Sequence, residues 1–146
     1  EFNSFVLGLY NAAGPGQPLD DDLKARAEAI DTPIDVMILV SLTCTMCPET
    51  VLAAQRIASL NPNVRAEAYD VAHFPELKDQ YGAMSVPCIV INHPGGEQKV
   101  EFGKKECPAD VDIARRIVGA VPGAVLSSPF NNSNMLEFSV NMLELR

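Results

Sequence analysis

Apolar residues along this chain recur with two periods, and stretches of each period alternate. From Glu1 to Ala12 they return at Phe2, Phe5, Val6 and Leu9, which predicts a helix with those four on one face, broken by Gly14-Pro15-Gly16. A second helix is predicted from Leu19 to Ile30, with Leu19, Leu23, Ala27 and Ile30 at helical spacing. Its acidic run Asp20-Asp21-Asp22 falls in the first turn, where the helix dipole favours negative charge, and reads as a solvated helix start rather than a metal site. Ile34 to Leu42 is nearly continuous and rich in branched side chains, the pattern of a strand covered on both faces. A helix from Pro48 to Leu60 follows, stopped by Asn61-Pro62, then an alternating strand from Val64 to Tyr69 and a short helix from Phe74 to Tyr81. Pro87 to Ile91 and Lys99 to Phe102 read as strands joined by the turn His93-Pro94-Gly95-Gly96. Pro108 opens a last helix to about Val118, with Val111, Ala114 and Ile117 on one side.

From residue 34 the order is therefore strand, helix, strand, helix, strand, strand, helix. Parallel strands need a helical crossover, while the last two strands are close enough for a hairpin. An α/β fold with a small mixed sheet flanked by helices satisfies both conditions, and this order resembles a thioredoxin or glutaredoxin core. Beyond it, Pro122 to Asn134 has the Pro, Gly, Ser and Asn content of a linker. Met135 to Leu145 is apolar again but fits both periods: Leu136, Phe138, Val140 and Met142 alternate, whereas Met135, Phe138, Met142 and Leu145 recur helically. Such a tail can dock on the core, pair with another protomer of a homo-oligomer, or join a neighbouring domain.

Composition narrows the function classes. In 146 residues, 47% are hydrophobic and 21% charged, which suits a soluble globular domain. A net charge of −8, with no basic cluster richer than Lys104-Lys105 or Arg115-Arg116, repels a phosphate backbone; nucleic acid is not an expected partner. The longest apolar run, near Val36 to Leu42, is too short to span a bilayer, so no membrane association is expected. The chain opens at Glu1 within a predicted helix and shows no export leader, so we expect a fragment of a larger protein located in the cytoplasm.

The four cysteines carry the candidate chemistry. Cys44 and Cys47 sit at the junction of the buried strand and the following helix, with two residues between them. Disulfide exchange needs a thiolate, and the free N–H groups and dipole at a helix start stabilise that anion. Cys44 is the expected nucleophile and Cys47, one turn on, the resolving thiol; Pro48 suits a first turn, which has no intrahelical N–H bond to lose. A zinc site would bring a second close Cys pair or a short-spaced His pair, whereas Cys88, Cys107, His73 and His93 are scattered, so no metal is expected. Ser85-Val86-Pro87 precedes an apolar strand: either a plain strand-opening proline, or a cis Val86–Pro87 peptide facing the cysteine pair, which is the reading adopted.

Taken together, Ser41-Leu42-Thr43-Cys44-Thr45-Met46-Cys47-Pro48, Leu60-Asn61-Pro62, Met84-Ser85-Val86-Pro87 and Phe102-Gly103 resemble the N-terminal thioredoxin-like dithiol domain of the alkyl hydroperoxide reductase flavoprotein. Related domains fused to thioredoxin reductases share the pattern. Upstream, Glu1 to Leu7 resembles the last helix of that family's first half, so residues 1–32 are read as a helical remnant of a preceding thioredoxin-like half. Residues 33–120 become the redox domain, and residues 121–146 the linker and unassigned apolar tail.

The resemblance implies an enzyme, a thiol–disulfide oxidoreductase relay. In it Cys44 and Cys47 pass electrons from an NAD(P)H-dependent flavin reductase domain to a disulfide acceptor such as a thiol peroxidase. FAD and NAD(P)H are then expected on a partner domain and no cofactor on this one. Thr45, Met46, Val86 and Pro87 are the expected substrate-facing residues, and Glu1 matches the family's proton-transfer carboxylate. Cys88 departs from the expected pattern; it is read as a small buried strand residue, or as a regulatory thiol if it faces Cys44. Cys107 resembles a helix-start bystander. Two alternatives stand beside the relay: a glutathione-dependent glutaredoxin, and a redox-inert binding module of the same fold.

Overall fold

A computed structural model describes residues 2–93, 95, 96, 98–103, 116 and 117. Glu1, Cys107, Lys104-Lys105, the linker and the apolar tail lie outside the described residues, as does the Pro108 helix apart from Arg116 and Ile117, which are helical. Two helices, α1 (Phe2–Ala13) and α2 (Asp21–Glu28), precede the first strand, β1 (Ile34–Val40). Then come α3 (Cys47–Leu60), β2 (Val64–Asp70), α4 (Pro75–Gln80), β3 (Cys88–Asn92) and β4 (Gln98–Phe102). The strands form one mixed sheet in the order β2-β1-β3-β4. β1 runs parallel to β2 with Ile34 beside Val64, and antiparallel to β3 with Leu39 beside Cys88. β3 and β4 form the expected hairpin, closed by the Gly96 amide donating to the His93 carbonyl at 3.0 Å.

The central strand is buried on both sides because its side chains alternate between two apolar layers. Ile34, Val36, Ile38 and Val40 join Ile89 and Ile91 in packing against α2 and α3, with Ile57 and Ile117 fully enclosed. Leu39 joins Cys88, Val90 and Ala83 in a smaller layer on the other face, roofed by Tyr69, Leu77 and Tyr81. Each enclosed branched side chain contributes about 1.5–3 kcal/mol.

Several boundaries differ from expectation for local reasons. Asp20 is a cap rather than a first-turn residue: its carboxylate accepts the Asp22 and Leu23 amides at 3.0 and 3.2 Å, so that α2 opens at Asp21. Asn61 does more than stop α3. Its side-chain amide, buried, donates to the carbonyls of Ala27 and Ile30, each at 2.8 Å, and so ties the end of α2 to the end of α3.

The predicted helix is present as α1, and its apolar face is turned outward. Phe2, Phe5, Val6 and Leu9 share a face, but that face is exposed, and Ser4 and Asn11, seven residues apart, are the buried pair. Asn11 is held by Gln17 through two hydrogen bonds, of 3.0 and 2.8 Å. Gly8 lets α1 come close to α3: a Cβ there would lie 2.7 Å from Gln55 Oε1.

Candidate active site

The site is built where β1 ends. Leaving Val40, the chain turns at once: the Cys44 amide donates to the Ser41 carbonyl at 2.9 Å, and the Ser41 and Thr43 hydroxyls pair at 2.9 Å. That turn sets Cys44 just outside α3, and the Cys47 amide donates to Cys44 Sγ at 3.2 Å. A donor from the first helical residue is the contact that stabilises a thiolate at this position. The two sulfurs are within disulfide-bonding distance, with Cα atoms 5.5 Å apart. Their exposure differs: Cys47 is fully buried in the larger apolar layer, while Cys44 is only partly covered and lies between the exposed residues Thr43 and Thr45.

The opposite wall is the connection into β3. The Val86–Pro87 peptide is cis, and the Val86 carbonyl oxygen lies 3.8 Å from Cys44 Sγ. Pro87 is fully buried, and Gly103 is packed against it. The Gly103 amide donates to the Pro87 carbonyl at 2.9 Å, and a Cβ on Gly103 would meet Pro87 Cγ at 2.6 Å. In the sequence Phe102-Gly103 carries only a resemblance; its structural purpose, room beside the proline ring, depends on a pairing that sequence spacing does not reveal.

The remaining candidates separate. Thr45 and Met46 lie exposed between the cysteines, and Val86 packs at the edge of the same layer as Cys44. Cys88, next in sequence to Pro87, points the other way. It lies with Leu39, Ala83 and Val90 on the opposite face from Cys47, fully buried, and burial pushes its thiol pKa up. That placement suits a small buried strand residue, not a thiol facing Cys44. Glu1 and Cys107 fall outside the described residues. Among the described residues no grouping of His, Cys, Asp and Glu could hold a metal ion, and no helix is long and apolar enough to cross a membrane.

Residues 34–105 match the thioredoxin domain family. Over 92 residues, 63% of this chain, the sequence is 37% identical to the alkyl hydroperoxide reductase protein AhpF of Pseudomonas aeruginosa. A Bacillus subtilis protein named NADH dehydrogenase is 29% identical over 92 residues. In both cases the match spans only 18% of the relative's length. Among solved structures, the N-terminal domain of AhpF of Enterococcus faecalis superposes with a TM-score of 0.69 at 43% identity, covering 80% of this chain and 53% of that one. A protein disulfide oxidoreductase from Aeropyrum pernix, at 21% identity and TM-score 0.64, shares the fold.

Proposed function

We propose that this chain is a thioredoxin-fold thiol–disulfide oxidoreductase domain, related to the N-terminal domain of the alkyl hydroperoxide reductase protein AhpF, and that its redox relay runs as follows. Cys44 thiolate attacks a partner disulfide; a Cys44–partner disulfide forms and one partner thiolate leaves. Cys47 then loses its proton and attacks Cys44 Sγ, which releases the second partner thiolate and closes Cys44–Cys47. Two electrons pass to the partner in each turn; Cys47 supplies one of the protons the partner's two thiols take up, and water supplies the other. The observation that carries this assignment is the unequal exposure of the pair: Cys44 is reachable under the Cys47 amide, while Cys47 is enclosed and can be reached only through Cys44.

Electrons reach the oxidised pair, in this reading, from a nicotinamide and flavin on another domain, and leave to the disulfide of a thiol peroxidase. The names of the relatives support that path: one is part of a hydroperoxide reductase, another an NADH dehydrogenase. A dithiol that must be re-reduced at every turn suits the reducing cytoplasm. Against a glutathione-dependent reading, Gly95 and Gly96 sit in the β3–β4 hairpin and not in the first turn of any described helix, where a glutathione carboxylate would be held.

The test is Cys47→Ser in the full chain, incubated with an oxidised thiol peroxidase. A covalent adduct at Cys44 is expected by mass spectrometry, and its absence with every oxidised peroxidase offered sinks the relay. Turnover with glutathione alone would move the assignment to a glutaredoxin. A Cys44 that titrates like an ordinary thiol and forms no reversible disulfide would leave only a binding module.

A further inference from the structure

The wall opposite Cys44 hangs on the end of an edge strand. β4 lies at the margin of the sheet with β3 beside it. Gly103, just past the end of β4, donates its amide to the Pro87 carbonyl at 2.9 Å and abuts the proline ring. The end of an edge strand has few partners of its own and opens readily. Whatever fixes Phe102 and Gly103 therefore fixes Pro87, and with it the Val86 carbonyl beside Cys44 Sγ.

Arg116 reaches that end from a helical segment. Its neighbour Ile117 is enclosed in the larger apolar layer, which anchors the segment on the α3 side of the sheet. Glu101 pairs with Ile89, a member of that layer, so its carboxylate is on the same side. The guanidinium meets β4 twice. Arg116 Nε lies 3.1 Å from a Glu101 carboxylate oxygen, and Nη1 donates to the Phe102 carbonyl at 3.4 Å. The two side chains are 13% and 23% exposed, so solvent and salt screen their attraction less than that of an exposed pair. A planar fork serves a carboxylate and a carbonyl together, which the compact charge of a lysine does poorly. The contacts then run unbroken from Arg116 through Phe102, Gly103, Pro87 and Val86 to Cys44.

We propose that Arg116 is a positioning residue for thiol–disulfide exchange: it latches the end of β4 and so holds the Pro87 wall at the distance from Cys44 that a partner segment needs. It acts through Gly103 and Pro87, with Glu101 as its counterpart in the latch. The proposal rests on the relay reading above. Opening the latch weakens the hold on the partner more than it slows the attack. The start of α3 keeps the Cys47 amide on Cys44 Sγ whether the latch is closed or open.

The experiment uses the full chain, reduced, in single-turnover reactions with two probes. One is the symmetric disulfide of a short uncharged peptide with a central cysteine; the other is hydroxyethyl disulfide, which is too small to need the wall. In Arg116→Gln the half-saturating peptide concentration should rise about fivefold, with the limiting rate changed by less than about twofold. The rate with hydroxyethyl disulfide should also change by less than about twofold. Glu101→Gln, which keeps the shape of the side chain, should raise the half-saturating concentration about threefold, and the double variant should be no worse than Arg116→Gln alone. Arg116→Lys, which keeps the charge without the fork, should fall between the unmodified chain and Arg116→Gln. Urea unfolding identifies the variants that are folded under the assay conditions, and if Arg116→Gln is not, Glu101→Gln decides. A half-saturating concentration unmoved in the folded variants overturns the latch. An equal loss with hydroxyethyl disulfide overturns it too, because Arg116 would then support the fold at large. No reaction of the unmodified chain with hydroxyethyl disulfide overturns the relay reading itself, and the latch with it.

Discussion

Cys47 and Cys88 are equally buried, each with no exposed surface, yet they lie in opposite chemical situations. Cys47 opens α3 on the face of the sheet packed by α2 and α3, with a second sulfur at bonding distance. Cys88 opens β3 on the other face, and its neighbours are Leu39, Ala83 and Val90. One residue of strand alternation produces this difference: Pro87 belongs to the wall opposite Cys44, and the next side chain points through the sheet. The comparison teaches that burial does not by itself silence a thiol. A buried thiol works in exchange only where a reachable sulfur is delivered to it.

The hardest blow to that contrast comes from removing, in turn, the sulfur delivered to Cys47 and the thiol of Cys88. Cys44→Ser should lower thiol–disulfide exchange by at least about a thousandfold, since a hydroxyl supplies neither a comparable nucleophile nor a disulfide. Cys88→Ala should leave the exchange rate within about twofold and cost roughly 1 kcal/mol of stability for the small cavity it opens. Both are read by a disulfide-reduction assay and urea unfolding. If Cys88→Ala stopped exchange, Cys47 and Cys88 would no longer be different in kind.

Much of this is legible in the sequence, and what is not follows from long-range contacts. The unbroken apolar run of β1 and the Cys44–Cys47 spacing at its end are local signals, and the structure places strand, pair and helix in that order. The Leu42 end of the run reads as strand because an apolar residue at a strand terminus looks the same whether it continues the ladder or faces water; here it is 64% exposed. The helical period of α1 is legible, but a period names a face without saying what covers it, and the face that packs holds Ser4 and Asn11. The side of the sheet taken by Cys88 needs the register Leu39–Cys88, which no local pattern encodes. The Asn61 clamp is equally hidden, because its acceptors, Ala27 and Ile30, are remote in the chain.

That clamp offers the next sharpening, since it braces only the Cys47 side of the sheet. Asn61→Ala removes one donor from each of the buried carbonyls of Ala27 and Ile30, which keep the Ile30 amide and the Asn63 side-chain amide respectively, and should cost about 1–2 kcal/mol in urea unfolding. Exchange measured well below the unfolding midpoint should fall far less than in Cys44→Ser. A comparable change is expected where the two sides meet. Gly103→Ala drives a methyl group against the Pro87 ring, and the displacement should lower the exchange rate a few-fold, with a stability loss of about 1–2 kcal/mol. A rate unchanged in Gly103→Ala would mean that the position of Pro87 does not matter to Cys44.

The finest test reads the silent thiol through pH. Burial holds the folded pKa of Cys88 above its unfolded value, so the folded chain keeps that proton at alkaline pH values where the unfolded chain releases it. The stability contributed by neutral Cys88 is therefore complete below the unfolded value, about 8.5, and is lost as pH rises from there through the folded value. With Cys44 and Cys47 oxidised, neither titrates, and subtracting Cys88→Ala from the unmodified chain removes every other group common to both. Urea unfolding between about pH 7 and pH 10 should show the unmodified chain losing stability faster than Cys88→Ala, with parallel curves below about pH 8. Curves parallel across the whole range would mean that Cys88 ionises as readily in the fold as outside it, and its isolation from water would have to be abandoned.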